Sequence, residues 1–169
     1  TTSFQRFGPG LQRQVTVNVP GPLRVVVYRR LMLRIAAALA KKVHARALVT
    51  GDAVGQVASQ TLDNLAVIGA ATNRLTIRPL VGMAKEEIMA DARRLGTFPI
   101  SILPDEDCCT LFTPRHPATR AKRTEIERAE SQVPIEQMVE QAAAAPIIER
   151  VDWPMLELPD PSRRVVSDP

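Results

Sequence analysis

The chain has 169 residues, enough for one domain or for a large part of one, and 45% hydrophobic with 24% charged residues is an ordinary globular balance. Aromatic residues make up only 4%, which argues against base recognition by a platform of stacked rings. The net charge of +4 would help a polyanion approach without requiring one. No apolar run approaches a membrane span and no signal-peptide pattern opens the chain, so we expect a cytoplasmic protein with no membrane partner.

Hydrophobic periodicity predicts strands and helices in alternation. Residues 1–10 resemble a linker or tag, and residues 14–19 alternate polar and β-branched residues, which predicts a strand. A long helix is predicted over 23–43, with a buried face made of Tyr28, Met32, Ile35, Leu39 and Val43.

The pattern continues with a strand at 47–50, a helix at 59–71, a strand at 75–80, a helix at 85–95 that Gly96 ends, a strand or irregular bridge at 99–103, and helices at 118–131 and 135–145. Strands that alternate with helices favour a parallel sheet with crossover connections. The predicted fold class is therefore α/β.

The stretch from residue 47 to residue 61 predicts a ligand-binding corner. A short apolar strand ends at Gly51, and Gly55 and Gln60 follow before the next helix. Ligands collect at the carboxyl ends of parallel strands, where glycine lets the backbone come close. The alternative is a plain strand-to-helix connection without a ligand. Arg29, at the border of the buried face of the long helix, could aim its guanidinium at a phosphate.

The two cysteines of the chain, Cys108 and Cys109, are adjacent. Adjacent cysteines exclude a disulfide framework and leave reactive, redox or buried thiols. Arg115 and His116 could favour a nucleophilic thiolate, whereas the acidic residues at 105–107 would oppose it. The alternative is one buried and one inert surface cysteine. Adjacent cysteines chelate a single zinc ion poorly, so no metal site is predicted.

Four segments together resemble one family. Residues 27–36, 48–65, 78–80 and 104–109 are similar to the later part of the pyrophosphatase domain of the tRNA 4-thiouridine synthetases, also called tRNA sulfurtransferases (the ThiI family). The resemblance covers residues 11–146 and leaves 147–169 as a poorly ordered tail. It implies a Rossmann-like parallel sheet of the adenine-nucleotide α-hydrolase (PP-loop ATP pyrophosphatase) type, incomplete, with C-terminal helices.

The resemblance also implies a reaction. ATP, accompanied by Mg²⁺, adenylates a uridine carbonyl oxygen in tRNA, and persulfide sulfur from a cysteine desulfurase replaces that oxygen to give 4-thiouridine. A link to sulfur supply for the thiamine thiazole and a homodimer are further expectations. In this family Arg29 would be a basic ATP contact, Gly51 a backbone contact and Gln60 a side-chain contact. Cys108 would carry or resolve the persulfide, and Cys109 would replace it if the alignment slips by one residue.

The sequence departs from the family pattern in several places. It contains no Ser-Gly-Gly-x-Asp-Ser loop for pyrophosphate, and the ferredoxin-like, THUMP and rhodanese regions are not found. We therefore expect this chain to be inactive alone, as a fragment or as a piece that another polypeptide completes. Arg30 and Arg34 are expected to face tRNA phosphate, with a solvated basic face as the alternative. Two other functions stay open: another PP-loop ATP pyrophosphatase acting on a small substrate, or a non-catalytic module that binds tRNA or a partner.

Overall fold

The structure, a computed structural model, describes residues 2–4, 9–104, 116–144 and 147–149. Its strands are β1 (Thr2–Phe4), β2 (Ala47–Val49), β3 (Leu75–Ile77) and β4 (Ile147–Glu149). Its helices are α1 (Pro9–Asn18), α2 (Arg24–Lys42), α3 (Leu62–Gly69), α4 (Lys85–Arg94), α5 (Phe98–Ser101), α6 (Arg123–Glu130) and α7 (Ile135–Ala144). Short 3₁₀ turns at Gly21–Leu23 and Ala58–Gln60 lead into α2 and α3.

Helix α2 is the centre of the packing. It contacts α1, α3, α6 and α7 and also touches β2. Val27, Leu31 and Ile35 on α2 are almost completely buried, and Ile126 of α6 and Met138 of α7 join them in one hydrophobic cluster. Removal of this apolar surface from water is the main driving force that holds the helices together.

Strands β2 and β3 pair in parallel, with Ala47 opposite Leu75 and Val49 opposite Ile77. Helix α3 connects them, which is the strand–helix–strand arrangement of an α/β fold. The α/β prediction is confirmed, with an incomplete sheet of two parallel strands. Because both strands run the same way, their carboxyl ends lie side by side and bring residues 50–52 next to residue 78.

A second pair of strands joins the two ends of the described chain. β1 and β4 are antiparallel, with Thr2 opposite Glu149 and Phe4 opposite Ile147. These strands come from the segments predicted as linker and tail, where no element was expected. The domain boundaries at residues 10 and 147 stay predictions.

The strand predicted at residues 14–19 is wrong, because these residues belong to α1 and its end. Val15 and Val19 are buried, whereas Val17 is 71% exposed. Residues four apart face the same side of a helix, and the Val19 N–H donates to the Val15 carbonyl at 3.0 Å. Alternating valines fit a strand equally well, so tertiary packing decided between the two forms.

The bridge expected at 99–103 is also different, since residues 98–101 form the short helix α5. Pro99 lies in its first turn, where a proline costs no hydrogen bond. The other predicted helices and strands are present within three residues of their expected bounds, except that the helix predicted from residue 118 begins at Arg123. Gly96 ends α4 with a φ of +73°, a left-handed conformation that glycine adopts without strain.

The predicted buried face of α2 is only partly right. Ile35 is buried as expected, but Met32 is 41% and Val43 68% exposed. The helix has neighbours on several sides, so its buried surface is wider than one apolar stripe and includes Arg30. Among the helices that the structure describes, none combines the length and the apolar composition needed to cross a bilayer.

Candidate functional site

A cavity of about 380 Å³ lies where β2 and β3 end, between α2 and α3. One part of its wall is apolar and is made by Met32, Leu33, Ala36 and Ile68. The other part is polar and is made by Arg29, Thr50, Gly51, Asp52, Gln60 and Arg78. Small-molecule sites in proteins have this size and this mixture of an apolar surface with a few polar groups.

Asp52 is the centre of the polar wall. Its side chain is only 3% exposed. One carboxylate oxygen accepts from Arg29 Nη2. The other accepts from the Thr50 hydroxyl at 2.7 Å and from Arg78 Nε at 3.1 Å. The carboxylate therefore joins α2, the end of β2 and the end of β3 at one point.

These contacts keep Asp52 charged. Burial raises the pKa of Asp52, but the hydroxyl of Thr50 and the guanidinium groups of Arg29 and Arg78 outweigh burial, and the net shift lowers the pKa. Asp52 is therefore ionised at neutral pH. Two guanidinium groups face one carboxylate, which leaves the polar wall with a net charge of +1.

Arg29 is fixed by a second contact. Its Nη1 donates to the hydroxyl of Ser59 at 3.3 Å. Ser59 is buried in the 3₁₀ turn that precedes α3. A guanidinium held by two acceptors loses little further side-chain freedom when a ligand binds.

Arg78 is fixed at one edge by Asp52 and lies against α3 at the other. A Cβ atom placed on Gly69 would come within 3.3 Å of Arg78 Nη2. That nitrogen is buried and has no hydrogen-bond partner among the described residues. Buried donors are normally paired, so an unpaired one in a residue that lines the cavity requires an explanation.

Gly51 and Gln60, at the two ends of the segment 51–60, both line the cavity. Gly55 has a φ of +82°, and its N–H donates to the Gln60 carbonyl at 3.1 Å. A Cβ on Gly51 would meet nothing within 4 Å. The packing of the protein itself therefore does not require glycine at residue 51, whereas a ligand that approaches the backbone closely would.

The structure brings three of the predicted site residues together: Arg29, Gly51 and Gln60 all line this cavity. Their role in binding stays a prediction. Cys108 and Cys109 lie outside the described residues, so their role also stays a prediction. His116, the nearest described residue after them, is exposed.

Sequence reasoning missed Asp52 and Ser59 as members of the site. A signal existed for Asp52, since an acidic residue directly after a buried strand and its terminal glycine is placed at the ligand edge of the sheet. Ser59 carried no comparable signal. Its partner Arg29 is 30 residues away in the sequence.

The expectation that Arg30 and Arg34 face tRNA phosphate is wrong. Arg30 is 2% exposed, and its Nε and Nη2 donate to the Glu130 carboxylate at 2.7 and 3.1 Å. Arg34 donates to the same carboxylate at 2.6 and 2.9 Å. Arg30 also donates to the carbonyl of Val67. Arg30 therefore fastens both α6 and α3 to α2, and Arg34 fastens α6 to α2.

Comparisons with known proteins show the family of the chain. The family model described as "Thiamine biosynthesis protein (ThiI)" matches residues 3–135. A probable tRNA sulfurtransferase of Thermus thermophilus is 48% identical over 150 residues, which are 89% of this chain and 37% of the relative. A probable tRNA sulfurtransferase of Moorella thermoacetica is 46% identical over 129 residues, 76% of this chain and 33% of the relative.

A solved structure is also similar. The crystal structure of a 4-thiouridine synthetase–RNA complex with bound ATP matches with a TM-score of 0.78 and 43% identity, over 83% of this chain and 36% of that chain. The chain thus spans about a third of the length of the relatives it matches. Over that third, sequence and fold agree, and the chain belongs to the ThiI family.

Proposed function

We propose that this chain forms the nucleotide-site and sulfur-transfer part of a tRNA sulfurtransferase. The observation that carries the proposal is the cavity at the strand ends, with Arg29, Gly51 and Gln60 on one wall and a net positive charge. ATP carries negative phosphates and an aromatic base with apolar faces, and the positive and apolar parts of the cavity wall suit these two parts. The names of the relatives and the ATP in the similar structure point the same way.

In the proposed reaction, ATP with Mg²⁺ adenylates a uridine oxygen of tRNA. The adenylation is needed because a carbonyl oxygen is a poor leaving group, whereas AMP is a good one. Pyrophosphate leaves in that step. The terminal sulfur of a persulfide supplied by a cysteine desulfurase then attacks the activated carbon, and AMP leaves. A thiol cleaves the resulting S–S bond, which releases 4-thiouridine and forms a protein disulfide that a thiol reductant must reduce. Cys108, or Cys109 in its place, carries the persulfide or is the thiol that resolves it. Supply of sulfur to the thiamine thiazole, a homodimer and a cytoplasmic location, where tRNA is found, belong to the same proposal.

The path of the chain allows the thiol and the cavity to meet. Asn64 donates through its side-chain nitrogen to the Ala58 carbonyl at 2.9 Å and to the Ala118 carbonyl at 2.8 Å. Ala58 immediately precedes Ser59, which contacts Arg29. Cys108 is ten residues from Ala118. Ten residues can span at most about 35 Å. A connection of that length supports the proposed meeting of either thiol with the cavity.

ATP binding tests the first half of the proposal. In calorimetry with the full chain, Gln60→Ala should weaken ATP binding by several-fold, because the cavity loses an amide that can hydrogen-bond the nucleotide. Gln137→Ala, at an exposed residue of α7, is the matched control and should bind ATP like the wild type. An unchanged affinity for Gln60→Ala would remove that side chain from the site.

Sulfur transfer is tested in a chimera. The residues of this chain would replace the matching segment of the Thermus thermophilus relative, and 4-thiouridine in tRNA would be measured. Cys108→Ala should abolish thiolation without changing ATP affinity, and Cys109→Ala identifies the carrier if the two differ. Full thiolation in both single variants would refute the role of the cysteines.

The same measurements separate the alternatives. A flat ATP titration with retained tRNA binding would favour a non-catalytic module. ATP turnover that a thiol-blocking reagent leaves unchanged would favour a PP-loop ATP pyrophosphatase acting on a small substrate.

A further inference from the structure

We infer that Arg78 donates a hydrogen bond to a phosphate group of the bound nucleotide, and that Asp52 is the positioning residue that holds Arg78 and Arg29 on the cavity wall. The inference rests on the proposed function, because it needs a nucleotide in the cavity. It adds two residues to the site and assigns the phosphate end of the ligand to them.

The first support is the unpaired nitrogen of Arg78. In the described part of the chain, Arg78 Nη2 is the one buried side-chain nitrogen or oxygen without a hydrogen-bond partner. Leaving a buried, charged donor unpaired costs free energy. Because Nη2 has almost no exposed surface, a ligand acceptor would recover that cost once the guanidinium turns slightly toward the cavity. Arg78 lines the cavity, so a ligand bound in the cavity lies next to this side chain.

The second support is the way in which the guanidinium is held. Its Nε donates to Asp52 at 3.1 Å. Its Nη2 lies where a Cβ on Gly69 would be 3.3 Å away, so α3 approaches the guanidinium closely because residue 69 is glycine. A planar group anchored at Nε and packed against α3 has few orientations available, so it loses little freedom when it turns to a ligand.

The third support is charge. Asp52 already accepts from Thr50, Arg29 and Arg78, and its side chain is almost fully buried. No other acidic side chain lines the cavity within the described residues. The excess of one positive charge selects an anion. A guanidinium matches phosphate oxygens better than it matches an uncharged base or ribose.

Binding of ATP and of adenosine to the full chain tests the inference, because adenosine lacks the phosphates. Arg78→Gln should weaken ATP binding by about tenfold or more, the usual effect of losing a charge-assisted hydrogen bond. Its adenosine affinity should not change. Arg94→Gln, at an exposed arginine of α4, is the control and should leave both affinities unchanged.

Asp52→Asn tests the positioning role. The variant should lose ATP affinity and keep adenosine affinity. In the Arg78→Gln background the same change should cost less ATP affinity than it costs in the wild type, because only Arg29 is then left for Asp52 to position. Additive losses would overturn the positioning role, since they would mean that Asp52 acts independently of Arg78.

Gly69→Ala keeps the inference testable if Asp52→Asn unfolds. Alanine suits the end of a helix, so the variant should fold, but its Cβ must displace Arg78 Nη2 by a few tenths of an ångström. ATP affinity should fall by about threefold, which is less than the loss expected when the hydrogen bond is removed entirely, and adenosine affinity should not change.

Two results would overturn the inference. Equal losses of ATP and adenosine affinity in Arg78→Gln would mean that Arg78 does not contact phosphate, although the proposed nucleotide site would stand. A folded wild-type chain that binds neither ligand would overturn the proposed nucleotide site and this inference with it.

Discussion

Replacing Glu130 with alanine should remove a large part of the stability of the protein. Glu130 is 7% exposed and accepts four hydrogen bonds from Arg30 and Arg34. Without the carboxylate, the charge of Arg30 stays buried with only the carbonyl of Val67 as a partner. Removing one partner of a buried ion pair costs about 3–5 kcal/mol. The free energy of unfolding of a domain is about 5–15 kcal/mol.

Urea unfolding followed by far-ultraviolet circular dichroism measures the loss. With a slope of about 2 kcal/mol per molar urea, the midpoint for Glu130→Ala should fall by about 1.5–2.5 M. Glu127→Ala is the matched control, because Glu127 lies on the same helix, is exposed and contacts Arg123 at the surface. Its midpoint should stay close to that of the wild type.

A double variant separates the unpaired charge from other effects of the substitution. Arg30→Met combined with Glu130→Leu removes both buried charges, and Arg34 is exposed enough to turn toward water. Buried ion pairs replaced by apolar residues of similar size are often neutral in stability. The double variant should therefore recover at least half of the lost midpoint. If Glu130→Ala matched Glu127→Ala, or the double variant were as unstable as the single one, the reasoning would be refuted.

Acid should unfold the protein partly through Glu130 and Asp52. The guanidinium groups around them outweigh burial and lower the pKa of each carboxyl, so their stabilisation is complete above about pH 5 and is lost as the pH falls below about 4. Unfolding titrations of Glu130→Gln should therefore have a flatter acid limb, and an unchanged limb would contradict this. Asn64→Leu should cost about 3 kcal/mol, because the buried amide pairs three backbone groups, among them the N–H of Ala121; thermal unfolding measures the loss, and a change below about 1 kcal/mol would contradict it. Leu31→Ala, at a fully buried residue, should cost about 2–5 kcal/mol in the same assay, and a smaller loss would mean that the core closes around the deleted atoms.

Local patterns were sufficient where the sequence itself contained the deciding interaction. The helix α4 is an example, since its first-turn acids, its last-turn arginines and Gly96 all lie within the segment. The local pattern at residues 14–19 predicted the wrong element, because valines at every second position suit a strand and the end of a helix equally well. Packing against the neighbouring helices, which the local pattern does not contain, selects the helix over the strand.

Some residues of the site were also predicted from the sequence and others were not. Arg29, Gly51 and Gln60 were named from the family resemblance together with a strand–turn–helix pattern, and all three line one cavity. The environment of Asp52 could not be predicted, because its partners Arg29 and Arg78 lie 23 and 26 residues away in opposite directions along the chain.

The ion pairs that Arg30 and Arg34 form with Glu130 could not be predicted from local patterns either. An arginine on an amphipathic helix is normally a surface residue. The sequence around residue 30 gives no sign that its partner is a carboxylate 100 residues later. A buried charge is recognisable in a sequence only when its counter-charge is nearby.

Arg29 and Arg30 are consecutive on α2 and have opposite tasks, since one faces the cavity through Asp52 and the other is enclosed with Glu130. Consecutive residues of a helix differ by about 100° around its axis. The rotational phase of α2 is therefore constrained twice. Inserting a single amino acid directly after Arg30 would turn both arginines by about 100° relative to the buried residues that follow, such as Leu31 and Ile35, so ligand recognition and folding would fail together. Substitutions at residue 29 or residue 30, by contrast, would impair them separately.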